Sequence, residues 1–487
     1  MKICSLSNMS RELTILAFIR DIIKNTKWDG LVFLVGGAVR DSVLGKLPKD
    51  LDFTIEVNHG GILFAEWLYK ILSENYPDLY ISTPVIYNRY ETAKVIIDGI
   101  LQGVDLDHIE LEFVQTRGEV YEGNSRKPAH ISFVSLEEDL RRRDLSINAM
   151  AKNISNGSIV DPWNGMEDLK NKVLKAPDSN YDELYSEDPL RILRAVRFAS
   201  KYTSFKMDSK MLSEIKKNKE GIKSLSKERI RDELNKILLT PKPSKGLSLL
   251  ADLELLPYVF QSDLFSKLIG LEQGAYHDSD AWVHTLRVVD NVPNNLNLRL
   301  AALFHDIGKS NTQSKDGDDI HFYRHEEEGG KLARNIMREL KYSTEQIRVV
   351  CKIIESHMRP KNTRGWGDKA VRKLIKDIGD DLDLLLDLVH ADNISHAIDK
   401  IDPEDIPLLR ERIEYFKQQG DLKKLSDFPI KDFGTKVMNK YNLKPGPLIG
   451  KIKKFAENLY VDDPNISEED VFFKIEAYFG LDSHENN

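Results

Sequence analysis

The stretch from Leu31 to Glu56, LVFLVGGAVRDSVLGKLPKDLDFTIE, constrains the fold of this chain more than any other. An apolar run, Leu31 to Val35, reads as a buried strand, Gly36-Gly37 as a tight turn, Ala38 to Leu44 as one or two turns of helix, and Leu51 to Ile55 as a returning strand. Asp50 and Asp52 straddle Leu51 at the entry to that second strand, and side chains two apart on a strand share a face. Two carboxylates at ~6 Å repel by about 3 kcal/mol at an effective dielectric near 20. A bound divalent ion turns that cost into attraction. Mg2+ takes one or two carboxylates plus substrate phosphates, so phosphoryl or nucleotidyl transfer is the first expectation. An Asp-x-Asp by itself is usually a solvated strand end. Here a Gly-Gly turn, whose N–H groups can approach phosphate oxygens, and then Arg40 precede it.

At 487 residues the chain is long enough for two to four domains. Its 30% charged and 41% hydrophobic residues suit a soluble globular protein. Cys4 and Cys351 are too few and too far apart for a disulfide framework or a thiolate zinc site, which points to a reducing cytoplasmic compartment. No small-residue cleavage site follows the short apolar run Leu13 to Ile19, and no run approaches the ~18 apolar residues of a membrane span. A net charge of -8 argues against indiscriminate nucleic-acid binding but leaves room for a local basic track. Basic residues cluster from Lys201 to Lys245 and from Arg359 to Lys376, where solvated helix faces are the plainer reading.

GGAVRD followed by KDLDF resembles the first motif of the bacterial-type (class II) tRNA nucleotidyltransferase and poly(A) polymerase family. Further motifs follow in the same order. RRDLSINAMA is similar to the family's second motif, and the resemblance carries Arg143, Asp144 and Asn148 as nucleotide-site residues beside Gly36, Gly37 and Arg40. Arg141 and Arg142 are assigned to surface pairing. Glu112, in the strand HIELEFVQT, stands where the family has an acidic residue next to the aspartate pair, and so is a candidate third carboxylate. IVDPWNGMEDL, Ile159 to Leu169, resembles the link to the next domain, with Asp161 and Gly165 read as structural.

SEDPLRILRAVRFASKY, Ser186 to Tyr202, reads as a helix with Ser186 as N-cap, Glu187 and Asp188 at its positive end and Pro189 in its first turn. Asp188 and Arg191, three apart, would be neighbours on one face. Cytosine and adenine both show an exocyclic amine beside an unprotonated ring nitrogen, so a carboxylate and a guanidinium together fit both bases. Guanine and uracil would leave buried groups mismatched. EDPLRILRAVRF is similar to the family's ED-x-x-R motif, which makes Asp188 and Arg191 base-reading and Arg194 and Arg197 nucleotide-contacting residues.

A second constellation comprises His284, His305, Asp306, His325, His357 and Asp392. A single histidine on an apolar face is more often a satisfied core residue. An adjacent His-Asp ending an apolar helix, with a histidine before it and an aspartate well after, has the residue types of a metal site. Together these elements resemble the all-helical HD phosphohydrolase superfamily, which implies metal-assisted attack on a phosphate ester, with His325 and His357 allowing two metals.

The expected architecture is an α/β nucleotidyltransferase head, a small mixed sheet with helices, followed by an all-α neck, an all-α HD domain and a helical tail. Boundaries are set at 1–30 for an N-terminal helix, 31–170 for the head, 171–270 for the neck, 271–400 for the HD domain and 401–487 for the tail. In the family the neck meets the tRNA acceptor end. The tail sequence LKPGPLIG resembles that of HD-bearing relatives. The polar stretch GEVYEGNSRKPA, 118–129, reads as the loop associated in the family with switching from C to A addition. The expected activity is addition of CMP and AMP, from CTP and ATP, to the tRNA 3' end. Asp50 and Asp52 would hold Mg2+ in the head, and a divalent transition metal would fill the HD site. No membrane or protein partner is implied. The rivals are a poly(A) polymerase, an enzyme adding only A, and an HD phosphohydrolase with a nucleotide-sensing head.

Overall fold

A computed structural model describes residues 10–48, 50–120, 130–274, 277–317, 319–418, 430–463 and 466–481. They fall into two compact units that divide after Ser262. The expected loop at 118–129 lies outside the described residues from 121 onward.

In the first unit, α1 (Arg11–Ile23) begins at Ser10, whose hydroxyl accepts from the Leu13 N–H. It buries Ile15, Phe18, Ile19 and Ile23, while Leu16 and Ile22 sit half-buried on the flanks of that face. The apolar run forms β1 (Val32–Val35), buried throughout, α2 (Gly37–Val43) follows, and β2 (Leu51–Ile55) returns antiparallel to β1. The sheet is completed by β3 (Tyr80–Ile81), β4 (Val85–Tyr87), β5 (Thr92–Asp98), β6 (Ile109–Gln115), β7 (Ala151–Asn153) and β8 (Ile159–Val160). Its spatial order is β8-β7-β1-β2-β6-β5-β3, with β4 also on β5. β2 and β6 run parallel and the other neighbours antiparallel, so the sheet is mixed.

One face of this sheet is covered by α3 (Gly60–Asn75), whose Phe64 meets Phe113 edge-on at 4.9 Å and Trp28 at 5.2 Å. Phe53, Phe64, Phe113 and Trp28 are all essentially buried, each contributing roughly 2 kcal/mol or more of transfer free energy. The apolar run Ile131 to Val134 reads as a strand by its sequence, but it does not join this sheet. It forms His130–Phe133, paired with Arg117–Val120 in a separate ribbon. After α4 (Leu136–Arg141), closed by a Ser135/Glu138 capping box, a short turn of helix spans Ser146–Asn148.

Two helices replace the one expected around Ser186. α5 (Tyr181–Glu187) is capped by Asn180, and Ser186 lies in its last turn, its hydroxyl donating to the Glu183 carbonyl at 3.0 Å. Asp188 precedes a proline, which disfavours helical backbone, and it adopts φ -142, ψ 93, so the chain breaks before α6 (Leu190–Lys201). α7 (Lys227–Leu238) packs against α6 within the same unit.

In the second unit, helix Leu264–Leu268, which the sequence reading assigns to the neck, packs Phe265 against Trp282 and Phe304. It is followed by α8 (Ala281–Asn291), α9 (Leu296–Phe304), α10 (His325–Glu339), α11 (Thr344–Ser356) and α12 (Leu382–Asn393). The domain is helical as expected, with one short insertion between α9 and α10, where Gln313–Asp316 and Asp319–Phe322 pair as an antiparallel hairpin. A fully exposed polar strand, Gln313–Asp316, and a Gly317 turn at φ +62 suit that hairpin. The tail, α13 (Phe433–Lys440), α14 (Pro447–Asp462) and α15 (Glu468–Phe479), closes over its own core of Phe433, Val437, Ile452, Val471 and Ile475.

Candidate functional sites

The first unit contains an open cleft of about 580 Å³ between the Gly36 turn and α6. Gly36, Gly37, Arg40, Asp52, Arg143, Asp144, Asn148, Asp188, Arg191, Arg194 and Arg197 all line it. So do Arg117, Arg142, Lys201 and Arg229, which the sequence reading did not place there. Its basic side chains outnumber its acidic ones, giving a net acidic protein one strongly positive hollow. Lys201 feels this directly: burial and then the nearby Arg40 push its pKa down.

Gly36 opens the cleft. Its backbone, at φ +68 and ψ -129, is one that only glycine adopts readily, and a Cβ there would stand 3.3 Å from Arg143 Nη1. Arg143 Nη2 donates to Asp139 at 3.0 Å, and Arg142 shares that carboxylate at 3.3 Å. Asp139 is buried, and although burial opposes it, the paired guanidiniums hold its carboxyl below the ordinary range. Arg142, read as a surface residue, therefore belongs to the cleft. Arg141 alone follows that reading, pairing outside with Asp178 at 2.6 Å.

Asp144 and Asn148 act on other side chains. Asp144 is buried, accepts from Asn148 at 2.9 Å and pairs with Arg194 at 2.6 Å, while Asn148 accepts from Arg40 Nη1 at 2.6 Å. The Arg40 guanidinium also lies over Phe198 at 5.5 Å and Tyr202 at 5.6 Å, which fixes its plane. Arg197 pairs with Glu233 at 2.7 Å.

Asp188 and Arg191 both reach the cleft but do not pair through their side chains as one helix face would suggest. Asp188 accepts twice from Arg229 Nη2, at 2.9 and 3.1 Å. Arg191 is buried and donates to the Leu184 carbonyl at 2.7 Å and to Glu187 at 2.9 Å. The break at Asp188-Pro189 separates them. Arg229 had no signal in the sequence, because its partner is 41 residues away.

The three candidate metal-holding carboxylates divide. Asp52 is in register with Glu112 on the parallel neighbour strand, and Glu112 in turn with Lys94 on β5, so the three form one row across the sheet. Lys94 contacts Glu112 at 3.1 Å and Glu110 at 2.6 Å, and these partners raise its pKa. Burial first, and then the charge of Glu112, raise the Asp52 pKa, the signature of a carboxylate pair short of positive charge. Asp50 corrects the strand argument: it sits exposed in the bend before β2 starts at Leu51, so alternation along a strand does not place it. This row fits a divalent cation by its donor set.

The basic run Arg359 to Lys376 divides: Lys361 turns to Asp392 in the second unit's centre, while others take surface partners. Arg359 pairs with Asp377, Arg364 with Asp402 and Lys369 with Asp462.

In the second unit all six expected residues converge. His284 Nε2 lies 2.9 Å from Asp392, His305 Nε2 3.2 Å from Asp306, and His325 Nε2 3.4 Å from both Asp306 and His357 Nε2. All six are buried. Gly308 lets the His305-Asp306 turn meet α10, since a Cβ there would stand 2.1 Å from the His325 carbonyl. His305, His325 and His357 each place Nδ1 at 2.7–2.9 Å from the carbonyl three residues earlier. A carbonyl can only accept, so each Nδ1 carries the proton and each Nε2 lone pair faces the centre, the arrangement typical of metal-binding histidines. With the proton on Nδ1, His305 Nε2 turns a lone pair toward Asp306 Oδ2 at 3.2 Å inside a buried site, a juxtaposition of two electron-rich atoms that a cation between them relieves.

Burial shifts several groups here. It lowers the His357 pKa well below the ordinary value, helped by His325 and His305. It opposes the Asp306 and Asp392 charges, yet the cationic neighbours hold both carboxyls well below the usual range. For His305, burial works downward but the Asp306 carboxylate overrides it and the net shift is upward. Lys309 and Lys361, missed in the sequence, reach Asp306 at 2.7 Å and Asp392 at 3.3 Å. His277 and His396 join the edge of the centre. Burial pushes them down to about 2 and about 4. A cavity of about 460 Å³ opens onto Asp306, His325, His357 and Asp392.

Comparison with known proteins gives three matching family models: the poly A polymerase head domain over residues 32–175, the probable RNA and SrmB-binding site of polymerase A over 204–264, and the HD domain over 282–404. The multifunctional CCA protein of Actinobacillus pleuropneumoniae serotype 5b is 32% identical over 342 residues, covering 67% of this chain and 75% of that one. That of Dechloromonas aromatica is 33% identical over 292 residues, which span 58% of this chain and 63% of the relative's length. Among solved structures, the Bacillus stearothermophilus CCA-adding enzyme in complex with CTP superposes with a TM-score of 0.67 at 19% identity, over 97% of this chain and 98% of that one. The Thermotoga maritima CCA-adding enzyme complexed with tRNA gives 0.55 at 18%, over 96% and 94%. These two likenesses establish a shared fold.

Proposed function

Since the chain belongs to the bacterial-type (class II) family of CCA-adding tRNA nucleotidyltransferases and poly(A) polymerases, fused to an HD domain, we propose that it adds CMP and AMP from CTP and ATP to the 3' end of tRNA without a template. The observation that carries this reading is one hollow shared by Gly36, Gly37, Asp52, Arg143, Asp188 and Arg191, of a volume that suits a nucleotide.

Asp52, with Asp50 and Glu112 beside it, would hold Mg2+, which when bound neutralises charge on the α-phosphate and the departing pyrophosphate. The terminal ribose hydroxyl of tRNA gives up its proton and attacks the α-phosphorus, a new ester bond forms, and the bond from the α-phosphorus to the α,β-bridging oxygen breaks, releasing pyrophosphate. Arg143 and Arg142 donate to the triphosphate from the shared Asp139 carboxylate, and Gly36 leaves the space for that approach. Asp144 and Asn148 hold Arg194 and Arg40 in place, so they are positioning residues. Asp188 accepts from the exocyclic amine of cytosine or adenine while Arg191 donates to the ring nitrogen, each sharing its charge with a protein partner already in contact.

His284, His305, Asp306, His325, His357 and Asp392 would hold divalent transition metal, and a phosphoesterase activity is assigned to this centre. The neck and the tail are assigned to tRNA, and the compartment is the cytoplasm.

The test supplies CTP alone, ATP alone and both, on tRNA ending before the first C, after C and after CC. The expected products complete CCA and stop. Long A tails with CTP ignored would make the chain a poly(A) polymerase, and extension of CC-ended tRNA alone would make it an A-adding enzyme.

A further inference from the structure

Among the described residues of the second unit, three groups of candidate ligands share corners: His277, His284 and His396; His284, His305 and Asp306; Asp306, His325 and His357. Within each, one donor atom per residue lies within 4.8 Å of the others. The second and third groups make up the HD centre proposed above. The first is not explained by it, because His277 and His396 take no part in that reading.

Packing alone does not account for the first group. The rings of His284 and His396 lie parallel, 5.4 Å apart at 5°, and His277 crosses both edge-on, at 4.6 and 4.8 Å. Histidines kept for packing satisfy their nitrogens with hydrogen bonds. Here His284 uses Nε2 against Asp392 at 2.9 Å, and its Nδ1, fully buried, has no hydrogen-bond partner. Nδ1 of His277 is likewise buried and bare. A buried nitrogen left bare carries an uncompensated loss of hydration, and a coordinate bond removes it. His396 brings Nε2 to 3.5 Å from the same Asp392 oxygen that His284 contacts, so a carboxylate stands at the edge of the triad.

We propose that His277, His284 and His396, with Asp392 at their edge, bind a third divalent cation in addition to those of the HD centre. Three imidazoles select a borderline transition ion such as Zn2+, Co2+ or Ni2+ over Mg2+. An ion on His284 Nδ1, with Nε2 kept for the HD centre, makes the ring a bridge between the two ions as an imidazolate, its remaining N–H proton passing to solvent as the ion binds. It also adds positive charge to a cavity wall that already carries Lys309 and Lys361, where a phosphate oxygen can meet it. The inference rests on the reading of the HD cluster as a metal centre.

The experiment uses the full chain carrying Asp50→Asn and Asp52→Asn, so that head carboxylates do not contribute. It is stripped with a chelator and titrated with Co2+, bound ion being counted by mass spectrometry and its ligand field read by visible absorption. The parent is expected to bind three equivalents and His277→Gln/His396→Gln two, with loss of one absorption component. His325→Gln/His357→Gln is expected to lose a different component and keep that one. Two equivalents in the parent, an unchanged count in the His277/His396 variant, or a loss of more than one equivalent there would overturn the proposal. No Co2+ in the parent would instead overturn the metal reading of the HD centre itself. Thermal melts accompany each variant, and where the double variant does not fold, His396→Gln alone is held to the same one-equivalent loss.

Discussion

In the cleft of the first unit, charged side chains are held by one another across the sequence: Arg194 by Asp144, Arg197 by Glu233 and Arg229 by Asp188. In the HD centre of the second, His305, His325 and His357 are each oriented by a backbone carbonyl three residues earlier. The cleft thus keeps a reserve of positive charge whose partners are carboxylates, which an incoming polyanion can compete with or share. The HD centre instead fixes tautomers locally and turns lone pairs inward. A polyanionic substrate that must enter and leave suits the first arrangement. An ion that stays suits the second.

The sharpest way to break this comparison is to disable each centre in turn. Asp52→Ala should lower nucleotide incorporation by roughly a thousandfold or more, about 4 kcal/mol of transition-state stabilisation, while phosphoesterase activity stays intact. His305→Ala should do the reverse. Paired assays on one preparation of each variant decide the matter, and loss of both activities from either change would mean that the centres do not work separately.

The same contrast explains what could be read from the sequence. The mixed sheet, the Gly36 turn and β2 were legible because apolar periodicity and glycine punctuation are local. The residues of the cleft were legible because the motifs lie in short contiguous runs. Their counter-ions were not: nothing local marks Arg229 or Glu233 as a partner of residues on α6. Asp188 and Arg191 were placed on one helix because spacing was allowed to outweigh the bend that Pro189 imposes on its predecessor. In the second unit, ligand identity gave away six residues, whereas His277 in YHDSD lies outside any helix and joins the others only through the fold. His396, four residues after Asp392, carried a signal that spacing could have caught.

A smaller effect sharpens the account of the cleft. Gly36→Ala places a Cβ on a backbone conformation that L-residues adopt only at a cost of about 1–3 kcal/mol, and sets it against Arg143 Nη1. The expected result is a lowered melting temperature and roughly a tenfold loss in kcat/KM for CTP and ATP alike, since the damage is to the triphosphate and not to the base. Unequal losses for the two nucleotides would move Gly36 from phosphate binding to base selection.

The smallest expected change concerns the row Lys94, Glu112 and Asp52. Lys94 neutralises Glu112 from the side away from Asp52, so it competes with any cation that Asp52 and Glu112 hold together. Its contacts are partly solvated, and such ion pairs contribute about 0.2–1 kcal/mol. Lys94→Met should therefore shift the Mg2+ concentration for half-maximal incorporation downward by roughly two- to fivefold, on that energy scale, with little change in the maximal rate. Glu112→Gln should move the same midpoint upward, because it removes a charge from the cation's surroundings while leaving Asp52 in place. If Lys94→Met leaves the midpoint where it was and Glu112→Gln does too, Glu112 is a neighbour in the sheet that takes no part in holding the ion, and Asp52 must find its second carboxylate in Asp50 alone.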